Sequence, residues 1–196
     1  MTSDDFKRLL KIVSGARWLS RATLPNIQRV TNIKALGITI TSQLSMNLHV
    51  DTLVECCGKT LYGLRVLRAH GMSDDCTQEV FRSIVTAKLT YASQVWFGFC
   101  TASDINKLDR FLARCRRHNY CNQTIPSMAE QFDNADQSIF RTVLYKHNHV
   151  IHRLLPLKKR LQYKLRPCNH NLVLTCRTSY YDSCNFINRM IFSDAY

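Results

Sequence analysis

Leu89-Thr90-Tyr91-Ala92-Ser93-Gln94-Val95-Trp96 is followed within a dozen residues by Ile105-Asn106-Lys107-Leu108-Asp109-Arg110-Phe111-Leu112-Ala113-Arg114-Cys115-Arg116-Arg117. In the second run Ile105, Leu108, Phe111, Leu112 and Cys115 fall on one helical face, and Lys107, Arg110, Arg114 and Arg117 step by three, four and three along another. The pattern predicts a helix buried on one side and cationic on the other, starting at Ser103-Asp104. Tyr91, Trp96, Phe97 and Phe99 form an aromatic knot around Gly98. Trp96 and Tyr91 could stack on bases, but their place between two apolar helical faces reads as packing.

The approach to this stretch has its own helix start. Ser73 can accept from free first-turn amides, and Asp74 and Asp75 sit where the helix dipole favours negative charge. Cys76, Val80, Phe81, Ile84 and Leu89 mark the apolar stripe that follows. Further upstream, Leu36, Ile38 and Ile40 alternate with Gly37, Thr39 and Thr41, the period of a short strand. Asn47 reads as the cap of a helix carrying Val50, Leu53, Val54, Cys57, Leu61 and Leu64 on one face, stopped by Gly71. Arg65 and Arg68 lie near its end. Gly58 and Gly63 inside it lower helix propensity by about a kcal/mol each, and close helix packing is one reason to tolerate them. Downstream, Ser127 begins a short helix and Asp136 to Tyr145 reads as another. Pro156 and Pro167 then bracket a basic stretch, Lys158-Lys159-Arg160 with Lys164 and Arg166, and periodicity is poor beyond Cys168.

These readings give a mainly α chain: a small helical bundle with one short β-strand or hairpin near residues 35–41 and a less ordered C-terminal extension. Residues 1–25 read as a leader, 26–122 as an α-rich core and 123–196 as a basic, less compact extension. Apolar content of 45% is that of a globular protein and excludes wholesale disorder. A net charge of +13 over 196 residues is far from ordinary and points to a polyanionic partner, nucleic acid before membrane. Nine cysteines, an odd count, without a secretory leader favour free thiols in a reducing, intracellular compartment, nuclear or cytoplasmic. No apolar run approaches the length that spans a bilayer.

Several pieces in order carry a resemblance. Ile33-Lys34-Ala35-Leu36-Gly37-Ile38-Thr39-Ile40 precedes Leu44-Ser45, His49-Val50 and Leu64-Arg65-Val66-Leu67; Tyr91-Ala92-Ser93-Gln94-Val95-Trp96 and Ile105-Asn106-Lys107-Leu108-Asp109 follow. Together they resemble the region after the palm in LINE-type (jockey-like) non-LTR retrotransposon reverse transcriptases, densest between Lys34 and Cys121. The closing run Cys184-Asn185-Phe186-Ile187-Asn188-Arg189-Met190 resembles the end of such a reading frame. The resemblance implies a thumb-like module of an RNA-directed DNA polymerase, gripping a template–primer. The family's catalysis belongs to palm carboxylates holding two divalent ions. Asp4-Asp5 and Asp74-Asp75 read as helix capping instead, and the palm would lie before Pro25, where only an unmatched leader stands. The expectation is a fragment that is not an enzyme and holds no cofactor of its own.

The expected partner is RNA or an RNA–DNA hybrid, held non-specifically through Lys107, Arg110, Arg114 and Arg117, with Arg65 and Arg68 as lesser contacts; Arg116 and His118 extend the patch. The competing reading of these cations is a solvated surface. From another class comes a helical interaction module that self-associates through apolar surface near Leu36–Ile40 and Tyr91–Trp96, which the palm would cover in a full enzyme; a relic without function is the third reading. For metals, His147, His149 and His152 offer imidazoles, Cys115, His118 and Cys121 a second cluster, and Cys168, Cys176 and Cys184 a spacing of eight, but none has the paired Cys-x2–4-Cys element of a structural zinc site. No Gly-x-Ser-x-Gly elbow, P-loop or dinucleotide turn is present.

Overall fold

The computed structural model describes residues 30–159 and 170–193. The leader, together with Arg160, Lys164 and Arg166 of the basic stretch, lies outside the described residues. Among the described residues the chain is mainly helical with a single two-stranded antiparallel hairpin. Strands β1 (Asn32–Ala35) and β2 (Ile38–Thr41) pair Ala35 with Ile38 and Asn32 with Thr41, leaving Leu36-Gly37 as a two-residue turn. Both turn residues have positive φ, 51° and 84°, the requirement of a type I′ hairpin turn. Leu36 therefore sits at the turn tip, half exposed, instead of on the strand's apolar face, while Ile38 and Ile40 are buried. A leucine held at positive φ is strained. Leu36→Asn, which creates the favoured Asn-Gly turn and gives up little burial, is expected to raise unfolding free energy by about 1 kcal/mol in urea titrations.

Helix α1 (Asn47–Ala69) buries His49, Val50, Leu53, Cys57, Leu61 and Leu64. Its N-cap is Met46, one residue before the expected Asn47, whose side chain accepts instead from its neighbour Leu48 N–H at 2.7 Å. Gly71, at φ 96°, ends the helix: Met72 N–H donates to Leu67 O and Gly71 N–H to Arg68 O, the paired bonds of a Schellman cap. Side chains at Gly58 and Gly63 would meet open space, so helix packing is not why glycine stands there.

Helix α2 (Asp74–Val80) is capped by Ser73, whose hydroxyl accepts from Cys76 N–H at 3.3 Å, with Asp74 and Asp75 in the first turn. It runs through a π-helical turn (Phe81–Thr86) into α3 (Ala87–Thr90). The wide turn changes which residues are buried. Thr77, Phe81, Val85 and Leu89 face the core, while Cys76 and Ile84 are exposed. Residues four apart drift by about 40° per step in a regular α-helix; an inserted π turn brings such a spacing back into phase.

Short helix α4 (Ser93–Trp96) and a 3-10 turn (Phe97–Phe99) carry the aromatic knot. Trp96 is fully buried, edge-on to His49 and to Phe132 at 5.1 Å each, and its indole N–H donates to Tyr91 O at 3.0 Å. Packing is the role of Trp96, whereas Tyr91 is exposed. Helix α5 (Ala102–Arg117) begins two residues earlier than Ser103-Asp104 suggests: Thr101 is the N-cap, in a reciprocal capping box with Asp104. It ends at Asn119, φ 55°, in a second Schellman cap through Tyr120 N–H to Cys115 O. Helix α6 (Met128–Tyr145), capped by Ser127, is one continuous helix where the sequence reads as two. Asp109 accepts from Met128 N–H at 2.9 Å, placing an anion at the positive end of α6.

The main core runs from Ile38 past residue 122 to Met128 and Phe132. A smaller core gathers Phe140, Leu172, Met190 and Ile191. Beyond Cys168, where sequence periodicity fails, the chain forms α7 (Tyr180–Cys184) and α8 (Phe186–Ser193). Arg189 of α8 ion-pairs with buried Asp136 of α6, donates to Cys184 O at 3.1 Å and lies over the Phe97 ring. A side chain at Gly98 would collide with that guanidinium and with Cys184 O, so glycine is required there.

His49 gives this core a pH dependence. Its ring is buried, Nδ1 accepts from Thr39 N–H at 3.5 Å, and burial together with the charge of Lys34 pushes its pKa below 6.5. The unfolded chain therefore takes up a proton first, and stability falls as pH drops below about 6.5 until the folded ring also titrates. His49→Gln is expected to flatten the decline in Tm between pH 7 and 5.5.

Candidate nucleic-acid interface

Helices α1 and α5 lie side by side and parallel, as their end contacts show. At the starts of both, Lys107 Nζ donates to Asp51 at 2.6 Å. At the far ends, Arg68 Nη1 donates to His118 O at 2.8 Å and Nη2 to Asn119 O at 3.2 Å. Between these clamps an open groove of about 280 Å³ is lined by Asp51, Val54, Lys107, Arg110, Phe111 and Arg114. Three of the four predicted α5 cations thus converge on one concavity. Phe111 and Val54 form an apolar floor, and the Arg114 guanidinium lies 5.4 Å from the Phe111 ring centre, a cation–π contact.

Three cations against one carboxylate leave the lining with a surplus of two positive charges. Asp51 holds Lys107 by a direct hydrogen bond that pushes the ammonium pKa above its ordinary value. Arg110 and Arg114 make no ion pair with any described residue. Arg117, one turn beyond Arg114 on the same stripe, is exposed but does not line the groove.

The α1 arginines separate. Arg65 is exposed. Arg68 is an internal clamp: four of its five N–H donors are engaged by Asp74 and by the carbonyls of His118 and Asn119, and it stacks over Tyr120. Its guanidinium satisfies carbonyls at the negative end of α5 and is committed there. Asp51, Val54 and Phe111 complete the groove without having been singled out as site residues, and the 51–107 pair, 56 positions apart, has no local sequence signal. His118 is exposed, whereas Arg116 is half buried on another face.

Among the described residues no group of three or more His, Cys, Asp or Glu side chains converges as a metal site. Burial pushes the thiols of Cys100 and Cys115 up to about 12 and that of Cys57 to about 11, which removes them as nucleophiles near neutrality. No helix among the described residues is long and apolar enough to cross a membrane. No protein-family model matches the chain, and no curated protein and no solved structure is significantly similar to it.

Proposed function

We propose that this chain binds the phosphate backbone of nucleic acid through the α1–α5 groove, as a thumb-like segment derived from a LINE-type reverse transcriptase. The observation that carries the reading is the convergence of Lys107, Arg110 and Arg114 on one open groove, within a chain of net charge +13. The ordered sequence pieces that resemble that family supply the choice of RNA or an RNA–DNA hybrid, and the odd count of nine cysteines supports an intracellular location, nuclear or cytoplasmic. The groove supplies phosphate-positioning contacts, so sequence-tolerant binding is the activity proposed, and no primer extension is expected.

Magnitudes follow from the helix. Lys107 to Arg117 spans about 15 Å of axis at 1.5 Å per residue, the length of about four phosphates along one strand at 3.4 Å each. With about three phosphates neutralised, log K is expected to fall against log salt with a slope of about −2.7, or about 40-fold between 50 and 200 mM. The test is fluorescence anisotropy of the full chain with a labelled RNA–DNA hybrid across that range. A flat salt response or no binding by the folded monomer would remove the proposal.

A second reading has one observation of its own. Ile33, Leu36 and Tyr91 are exposed, and Tyr91 packs beside the Gly37 turn, making a small apolar patch on the hairpin. Self-association through it would persist at high salt in sedimentation. The patch is smaller than the sequence suggests, because Ile38, Ile40 and Trp96 are buried within the chain itself.

A further inference from the structure

The turn that follows α6 brings two imidazoles together. His147 Nδ1 lies 3.1 Å from His152 Nε2, with ring centres 4.8 Å apart and planes at 89°. His152 Nδ1 is 2.7 Å from Val143 O, a last-turn carbonyl of α6. A carbonyl can only accept, so Nδ1 of His152 carries the proton and Nε2 presents its lone pair toward His147. The turn holds this arrangement through its own backbone: Lys146 N–H donates to Thr142 O, His149 N–H to Lys146 O and His152 N–H to His149 O, each at 2.9 Å. His147 is exposed and His152 half buried, so the pair is open to solvent.

We propose that His147 and His152 form a two-imidazole site for a first-row divalent cation of the zinc type. Two nitrogens at about 2.0–2.1 Å from one tetrahedral ion stand about 3.3 Å apart, within a few tenths of an ångström of the separation already present. The bond from His152 to Val143 O is the outer contact by which a ligating histidine is oriented and its tautomer fixed. Binding needs one proton to relocate: His147, which donates from Nδ1 in the metal-free pair, carries it on Nε2 instead, and both facing nitrogens then offer lone pairs. Water completes the coordination, which makes the site exchangeable and leaves the fold independent of it. Imidazole donors without thiolate or carboxylate suit zinc, nickel and copper above magnesium or calcium. His149 is placed otherwise, its Nδ1 accepting from Ile151 N–H at 3.3 Å.

The test is calorimetric titration of zinc alone into the full, tag-free chain at pH 7.5. Cys76 and Cys176, the exposed free thiols among the described residues, are replaced by serine to remove competing ligands. One saturable zinc per chain is expected, weakened about tenfold or more in His147→Gln and in His152→Gln, with the two histidine Cε1–H resonances moving together during the titration of the parent protein. Absence of saturable binding would overturn the proposal. So would undiminished saturation in both glutamine variants, which would assign the zinc to other ligands. The resonances keep the test decisive should either variant disturb the turn, because a titration that leaves both unmoved also overturns it.

Discussion

Arg189→Met is expected to lower unfolding free energy at pH 7 by about 3–5 kcal/mol, read from urea midpoints, the scale for breaking one side of a buried ion pair. Asp136 is only 1% exposed, and one of its oxygens, Oδ1, has no partner among the described residues, so its charge depends on Arg189 at the other. Burial pushes the Asp136 pKa up, and the arginine only partly offsets that. Without Arg189 the carboxylate must remain buried unpaired or take up a proton. The folded state then binds more protons than the unfolded chain, whose aspartate ionises near 3.8. Acidification from pH 7 toward 5 should therefore restore part of the variant's stability. The opposite replacement, Asp136→Ala, leaves a cation that still has Cys184 O and some solvent, and is expected to cost less and to show no such recovery. Negligible losses in both variants, with pH profiles parallel to the parent's, would show that the C-terminal helix is held by its apolar contacts alone.

That latch marks where sequence reasoning stops. The hairpin, α1 and α5 are legible because their apolar residues keep one period over their whole length, and caps such as Ser73 and Ser127 act within four residues of themselves. The π turn defeats the reading of α2 because it changes the period mid-element, moving burial from Cys76 and Ile84 to Thr77 and Val85. At the start of α5, Thr101 competes with Ser103 as a cap and wins through its reciprocal bonds with Asp104. Beyond Cys168 the helices are short, and what fixes them is a pair between residues 136 and 189, which no local pattern announces. The site divides the same way. The α5 cations follow from spacing, but which of the α1 arginines stays available does not. Arg68 is drawn inward by carbonyls some fifty positions away, while Arg65, three residues earlier, stays exposed.

The groove makes a prediction of opposite signs that simple loss of stability cannot imitate. Arg110→Glu with Arg114→Glu is expected to weaken hybrid binding by about 30- to 100-fold at 100 mM salt, since two phosphate contacts at about 1 kcal/mol each are replaced by repulsion. Both side chains are exposed and have no ion-pair partner among the described residues, so the melting temperature should hardly move. Asp51→Asn should act the other way. Asp51 is the one carboxylate in the lining and holds Lys107 at 2.6 Å; its removal frees that ammonium for a phosphate and takes a negative charge from the groove. A few-fold gain in affinity is expected, with the salt slope steeper by about one contact. The loss of an exposed ion pair costs the fold little. Should Asp51→Asn bind no better while the double reversal still fails to bind, the arginines act outside the groove and the α1 wall has no part in the interface. Unchanged affinity in both variants would move binding off this face of the bundle altogether.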